Sequence, residues 1–329
     1  MSTALTDPFG RIIDYLRLSL TDRCNLRCLY CMPPEGVKKI THNDVLRFEE
    51  LFQICRALAG LGISTVRVTG GEPLVRKGVA GFIGGLKRID GIKRISMTTN
   101  GVLLGEYLQA LAEAGLDAVN ISLDTLDGER FRYLTRGGEM DSILPAIDMA
   151  LTLGLEVKIN CVPLRGFNEE DIVQLTELAK EKKIAVRFIE LLPLGAAVTM
   201  QPLPINEVTA LIEKAFGHLT ASPIQPGSGP AVYYSLPGFT GQIGIIGALS
   251  RGFCESCKRL RISAAGVLKP CLAGDMGIDL RSLVRGGACC REIEGAVREL
   301  VGKKPAGHSF GMGNENPNHR AAEIFRIGG

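Results

Sequence analysis

The sequence predicts an α/β fold, a partial (βα)6 TIM-like barrel with a smaller C-terminal α+β module, on three observations. Six short alternating segments recur with helix-like stretches between them, each segment carries polar groups on one face, and the rhythm breaks after Leu192. Strands separated by whole helices imply parallel neighbours joined by right-handed crossovers. Six units fall short of the eight in a closed barrel.

The strands are expected at residues 13–20, 64–69, 93–98, 118–123, 156–162 and 184–190. Between the first two, Leu51, Ile54, Cys55 and Leu58 share one helical face, and Gly60 and Gly62 supply the stop. Within the strands, Leu16, Leu18 and Leu20 alternate with Arg17 and Ser19, and Val66 and Val68 with Arg67 and Thr69. The same contrast sets Met97 against Thr98, Val119 and Ile121 against Asn120 and Ser122, Val157 and Ile159 against Lys158 and Asn160, and Val186 and Phe188 against Arg187. Successive strand side chains point to opposite faces. A solvated face explains one such strand. Six parallel strands, usually covered on both faces, predict instead a lumen that holds a ligand.

The second module starts after Leu192, where Pro193, Pro202, Pro204, Pro223, Pro226 and Pro230 punctuate the chain. It is expected to hold short strands around Tyr233 and Ile243, a hairpin over 259–269 turning at Ala265-Gly266, and a helix over 291–301. The organisation is thus 1–192 for the barrel and 193–329 for the module, ending in a polar tail from 302 that is rich in Gly and Asn.

At 329 residues, 46% hydrophobic and 22% charged, the chain reads as globular. A net charge of +3 is too small to point to a nucleic-acid or membrane partner, so an anionic substrate must meet locally placed Arg and Lys. The first ten residues lack an apolar signal core, and no apolar run approaches the ~20 residues of a membrane span; both point to the cytoplasm. Ten cysteines in a reducing compartment suit metals or chemistry better than disulfides.

Cys24, Cys28 and Cys31 form a C-x3-C-x2-C run directly after the first strand. A [4Fe–4S] cluster takes four thiolates, so three on one loop leave an iron open to a small molecule. Structural zinc wants a fourth protein ligand, for which His42 is the only nearby candidate, and an electron-transfer ferredoxin spaces its run differently. Gly70-Gly71-Glu72-Pro73 follows the second strand, offering close backbone approach and a carboxylate for an ammonium. A second triad, Cys254, Cys257 and Cys271, is brought together by the hairpin; a zinc knuckle is its alternative reading, with His308 and His319 lacking the paired spacing of such sites. Arg259 and Arg261 share one face of the hairpin's first strand. Arginines on a strand are ordinarily surface charges. Beside Arg17, Arg67, Lys158 and Arg187, these two read as part of a clamp for a triphosphate. Cys55 and Cys161 read as small buried hydrophobes, and the vicinal pair Cys289-Cys290 has no assigned role.

The first triad, with Tyr30 before its last cysteine, and the GGEP turn resemble the radical S-adenosylmethionine superfamily. Nearly the whole chain, through Arg17, VRVTGGEPL, MTTNG, ISLDTL, VKINCV, VRFIE, FCESCKRLR with Cys271, and the terminal Ile327-Gly328-Gly329, resembles its GTP 3′,8-cyclases of molybdenum-cofactor biosynthesis. That resemblance implies two [4Fe–4S] clusters and S-adenosylmethionine as cofactors. Tyr30, Gly70, Gly71, Glu72, Ser122 and Leu192, the last where the family usually has Met, would hold S-adenosylmethionine. Arg17, Arg67, Thr98, Lys158, Arg187, Arg259 and Arg261 would surround GTP, and Arg17, Arg259, Arg261, Gly328 and Gly329 would take part in catalysis. The implied reaction removes the 3′ hydrogen of GTP by a 5′-deoxyadenosyl radical and joins C3′ to guanine C8. Implied partners are a one-electron donor and the downstream cyclic pyranopterin monophosphate synthase, with the chain a monomer or homodimer. Two other classes fit some of these features. A peptide-modifying radical enzyme shares both triads but lacks the nucleotide-like cation set, and a non-catalytic metal-binding module needs no open iron.

Overall fold

The structure is a computed structural model that describes residues 4–36, 40–227, 229–250, 252–274 and 276–308. Its six barrel strands are β1 (Tyr15–Ser19), β2 (Thr65–Thr69), β3 (Arg94–Thr99), β4 (Ala118–Ser122), β5 (Glu156–Cys161) and β6 (Ala185–Ile189), each within two residues of its expected bounds. The crossovers are α1 (Phe48–Gly60), α2 (Val79–Lys87), α3 (Leu104–Glu113), the pair α4 (Gly128–Thr135) and α5 (Ile143–Thr152), and α6 (Asp171–Glu181). After β6 come α7 (Ile205–Phe216), β7 (Thr220–Ala221), β8 (Val232–Ser235), β9 (Gln242–Ile246), β10 (Arg259–Ile262), β11 (Val267–Lys269), β12 (Ile278–Asp279), α8 (Leu280–Arg285) and α9 (Cys290–Val301).

The apolar strand faces make the core. Leu16, Leu18, Val66, Val68, Val119 and Ile159 are fully buried, and Leu51, Ile54, Cys55 and Leu58 of α1 meet them from outside. The start of α1 is fixed by Glu50, whose carboxylate accepts the Arg47 amide at 2.7 Å and satisfies an otherwise orphaned donor. Cys161 is buried as expected of a small hydrophobe.

The sheet does not end where the barrel units end. Its order is β12-β11-β10-β1-β2-β3-β4-β5-β6-β9-β8-β7, with β1 parallel to β10 and β6 parallel to β9. The C-terminal strands therefore extend both edges of the partial barrel, leaving neither β1 nor β6 as an open edge. The hairpin turns as expected: the Gly266 amide donates to the Ser263 carbonyl at 2.9 Å, and β10 pairs antiparallel with β11. On the outside, α8 and α9 pack against α1, where Arg285 Nε donates to Glu50 Oε1 at 2.7 Å.

Candidate functional site

The polar strand faces are not solvated. Ser19, Thr69, Ser96, Asn120, Lys158 and Arg187 are all buried, so these faces line an interior. Arg261, Arg17 and Arg67 occupy registered positions on β10, β1 and β2, which sets three guanidinium side chains abreast on one face. Across the lumen Arg187 Nε donates to Asn160 Oδ1 at 2.8 Å and its Nη2 to Asn120 Oδ1 at 2.7 Å. Asn120 is itself fixed by donating to the Met97 carbonyl at 3.0 Å. Gly244, the β9 partner of Arg187, leaves room for that arginine: a Cβ there would lie 2.7 Å from Arg187 Cγ.

The cations act on one another. Burial lowers the Arg17 pKa well below its ordinary value, and Arg261, Arg67 and Arg259 push it further in the same direction. Burial followed by Arg259 brings Arg261 to about 10, and burial followed by Arg187 brings Lys158 to about 8 against the pull of Glu156. Arg67 bears on Arg17, Lys158 and Arg187 alike, so the six cations singled out in the sequence share one lumen. Glu156 offsets part of this charge, pairing with Lys158 and also with Arg94. Such an excess calls for a polyanion. Thr98 Oγ1, on the β3 position registered with Asn120, is buried without a protein hydrogen-bond partner, as suits an atom that bonds a ligand.

The first triad sits on the loop leaving β1. The Cys31 and Met32 amides both donate to the Cys28 carbonyl, at 2.9 and 3.0 Å, curling the loop so that the thiols influence one another. Cys24 Sγ accepts from the Leu26 amide at 3.4 Å and from Asn100 Nδ2 at 3.8 Å. Burial pushes the Cys31 thiol up to about 12 and that of Cys28 well above its usual value, which disfavours bare thiolates on this loop. A cavity of 260 Å³ opens beside Cys24. Among the described residues no three His, Cys, Asp or Glu side chains converge on a single ion. A cluster taking one thiolate per iron does not require them to.

The GGEP turn is bound to this loop. The Gly71 amide donates to the Thr21 carbonyl at 2.7 Å and the Glu72 amide to the Arg23 carbonyl at 2.8 Å. A Cβ on Gly71 would lie 2.3 Å from the Arg23 carbonyl oxygen, so only glycine permits the contact. Glu72 is 1% exposed, and its carboxylate accepts from the Leu74 amide at 3.0 Å, Thr99 Oγ1 at 2.8 Å and the Asn100 amide at 2.7 Å. In this structure it pins the turn to the end of β3 instead of presenting a free carboxylate. Tyr30 is engaged likewise: its hydroxyl donates to Asp124 Oδ2 at 2.6 Å, while Asp124 Oδ1 accepts the Val162 amide at 2.8 Å. Ser122 closes β4 two residues before that aspartate.

The second triad surrounds a small cavity lined by Leu192, Phe253, Cys254, Cys257, Cys271 and His308, with Arg259 and Arg261 at its wall. Leu192 thus stands with this triad. Burial raises the Cys257 thiol, but Arg259 and Lys304 outweigh it and hold the group down at about 7. All ten cysteines are free. The residues of both triads fit iron–sulfur clusters: three free thiols each, on a curled loop in one case and around a hairpin in the other.

Two family models divide the chain, the Radical SAM superfamily matching residues 18–179 and Molybdenum Cofactor Synthesis C matching residues 184–310. The GTP 3′,8-cyclase of Peptoclostridium acidaminophilum is 42% identical over 328 residues, covering 99% of each chain. That of Moorella thermoacetica is 44% identical over 328 residues, covering 99% of this chain and all of the relative. The chain belongs to the GTP 3′,8-cyclase family. Its fold is also that of Streptococcus suis SuiB in the crystal structure bound to S-adenosylmethionine, at a TM-score of 0.61 and 16% identity over 90% of this chain and 72% of that one.

Three residues at or beside the site were given no site role from the sequence. Asn100 and Asp124 fall within the MTTNG and ISLDTL stretches, and they directly follow barrel strands or lie two residues beyond them, the position where functional groups gather; that position was the signal that could have marked them individually. Tyr233, whose ring lies with Arg187 against Gly244, is on a short C-terminal strand with no motif to mark it. Gly328 and Gly329 lie outside the described residues.

Proposed function

We propose that this GTP 3′,8-cyclase joins C3′ of GTP to guanine C8, giving 3′,8-cyclo-7,8-dihydro-GTP, with the triphosphate held by the six-cation lumen. The observation that carries this reading is the mutual influence of Arg17, Arg67, Lys158, Arg187, Arg259 and Arg261 across one interior between two cysteine triads. When bound, a cluster with an open iron and S-adenosylmethionine supply the 5′-deoxyadenosyl radical that removes the 3′ hydrogen.

The chain's own residues do the placing. Cys24, Cys28 and Cys31 hold the first cluster, and the backbone at Gly70 and Gly71 lets S-adenosylmethionine approach while Glu72 keeps the turn in place. Tyr30 and Ser122 shape the same end of the barrel. Cys254, Cys257 and Cys271 would hold the second cluster, which would bind the guanine end of the nucleotide, with Leu192 lining the same cavity. Arg17, between Arg67 and Arg261 in register, serves both in binding and in positioning the reacting ribose, as do Arg259 and Arg261. Thr98 supplies a hydroxyl to the nucleotide. Strand-packed walls exclude water that would divert the radical. In this reading residues 1–192 make the radical and supply most of the nucleotide's contacts, and residues 193–329 add Arg259, Arg261 and the second triad to close the site.

Among the described residues no helix is long and apolar enough to cross a membrane. We place the enzyme in the cytoplasm, as a monomer or homodimer, receiving single electrons from a donor and passing its product to the cyclic pyranopterin monophosphate synthase. The test is a pair of variants. Cys24→Ala abolishes 5′-deoxyadenosine formation, whereas Cys271→Ala spares the first cluster and impairs GTP turnover. Undiminished GTP turnover in Cys271→Ala would overturn the reading.

A further inference from the structure

Lys304 lies just past α9, where the sequence suggests the start of a polar tail, yet it is 2% exposed. Its Nζ donates to the Arg259 carbonyl at 3.0 Å and to the Pro270 carbonyl, and reaches Cys257 Sγ at 3.8 Å. An ammonium has three hydrogens to give, and here all three have acceptors. Two of these touch the second triad closely: Cys257 is a member and Pro270 immediately precedes Cys271. The third member is tied to the same stretch by Arg11, which donates through Nη1 to the Cys254 carbonyl at 2.6 Å and the Ala306 carbonyl at 2.8 Å, and through Nη2 to the Pro305 carbonyl at 2.6 Å. Arg11 is held in turn by Asp7 at 2.5 Å. Gly307 closes the contact, its Cα so near that a Cβ would lie 3.6 Å from Cys254 Cβ.

A buried charge is costly unless an opposite charge meets it. Asp7 answers Arg11, but no carboxylate pairs with Lys304 among the described residues. The negative charge that would answer it is that of cluster-bound thiolates at this triad, whose Cys257 sulfur it reaches. Hydrogen bonds to cluster sulfurs and local positive charge favour the reduced, more negative state of an iron–sulfur cluster and help retain it.

We propose that Lys304 is a positioning residue for the second cluster, whose hydrogen bond to the Cys257 sulfur and buried positive charge raise that cluster's reduction potential and hold it in place. This rests on the reading of Cys254, Cys257 and Cys271 as cluster ligands. The test uses the full chain with Cys24, Cys28 and Cys31 replaced by alanine, reconstituted anaerobically, so that only the second cluster reports. Lys304→Gln keeps donors for the Arg259 and Pro270 carbonyls while losing the charge; Lys304→Arg keeps the charge. In Lys304→Gln the midpoint potential falls and iron is lost to a chelator about tenfold faster, and Lys304→Arg restores the potential. An unshifted potential in Lys304→Gln, on a parent that holds its cluster, overturns the role of Lys304 alone. A parent that holds no cluster overturns the second site itself, and the proposal with it.

Discussion

Arg17 and Arg261 stand directly opposite each other in register on β1 and β10, two arginines on one face of adjoining strands. Like charges so placed destabilise a sheet, and burial adds to the cost, lowering the pKa of both. The pairing of β1 with β10 is also the seam between the barrel and the C-terminal module. The strain is therefore concentrated where a nucleotide would sit.

We predict that Arg17→Met impairs GTP handling and spares radical formation. GTP turnover falls about 10- to 100-fold, the effect of losing a charged hydrogen bond worth ~1.5–3 kcal/mol, while 5′-deoxyadenosine still forms. Product analysis checks both halves; normal GTP turnover in the variant would count against the lumen assignment.

Lys158 gives a pH dependence. Its pKa is lowered to about 8 in the folded protein, so in the ligand-free chain its burial penalises stability below pH 8, and that penalty is relieved as pH rises toward the ordinary lysine value of 10.5. For an anion the sign is opposite. GTP binds the ammonium form, so affinity falls as pH rises through about 8, and equilibrium titrations of Lys158→Met lose this decline. An unchanged decline in that variant would assign it to another group.

The Gly71 contact predicts a selective defect. In Gly71→Ala the new methyl cannot fit beside the Arg23 carbonyl, so the turn and the cysteine loop separate. Misplacement of about 1 Å costs on the order of 100-fold, and we predict that loss in S-adenosylmethionine cleavage, with iron at the second triad unaffected. Cleavage at the parent's rate would show that the turn does not position the cofactor.

Tyr30→Phe removes the donor to Asp124 and leaves a buried carboxylate oxygen short of a partner. The expected cost is about 1–3 kcal/mol of stability, read by denaturant unfolding. A variant as stable as the parent would mean that Asp124 finds another donor.

The barrel was legible because alternation is a direct consequence of strand geometry: Arg17, Arg67, Lys158 and Arg187 declare by their apolar neighbours which way they point. The two triads stood out as groups by their spacing, and the hairpin of β10 and β11 brings Cys271 to one cavity with Cys254 and Cys257. The edge pairing of β10 on β1 and β9 on β6 was not, because short strands such as Gln242–Ile246 carry no signal for which distant edge they join. Glu72 shows a second limit. Its residue type suits an ammonium, but the three donors that converge on it come from residues 74, 99 and 100, two of them on a different strand end. Lys304 shows a third: a lysine in a polar stretch reads as solvated, and only the fold reveals that it is enclosed.

The most direct test of the central claim is anaerobic reconstitution of the full chain followed by incubation with GTP, S-adenosylmethionine and a one-electron reductant. The prediction is about eight irons per chain, as two four-iron clusters require, and conversion of GTP to 3′,8-cyclo-7,8-dihydro-GTP with 5′-deoxyadenosine formed alongside it. A protein that cleaves S-adenosylmethionine while GTP stays intact would contradict the account.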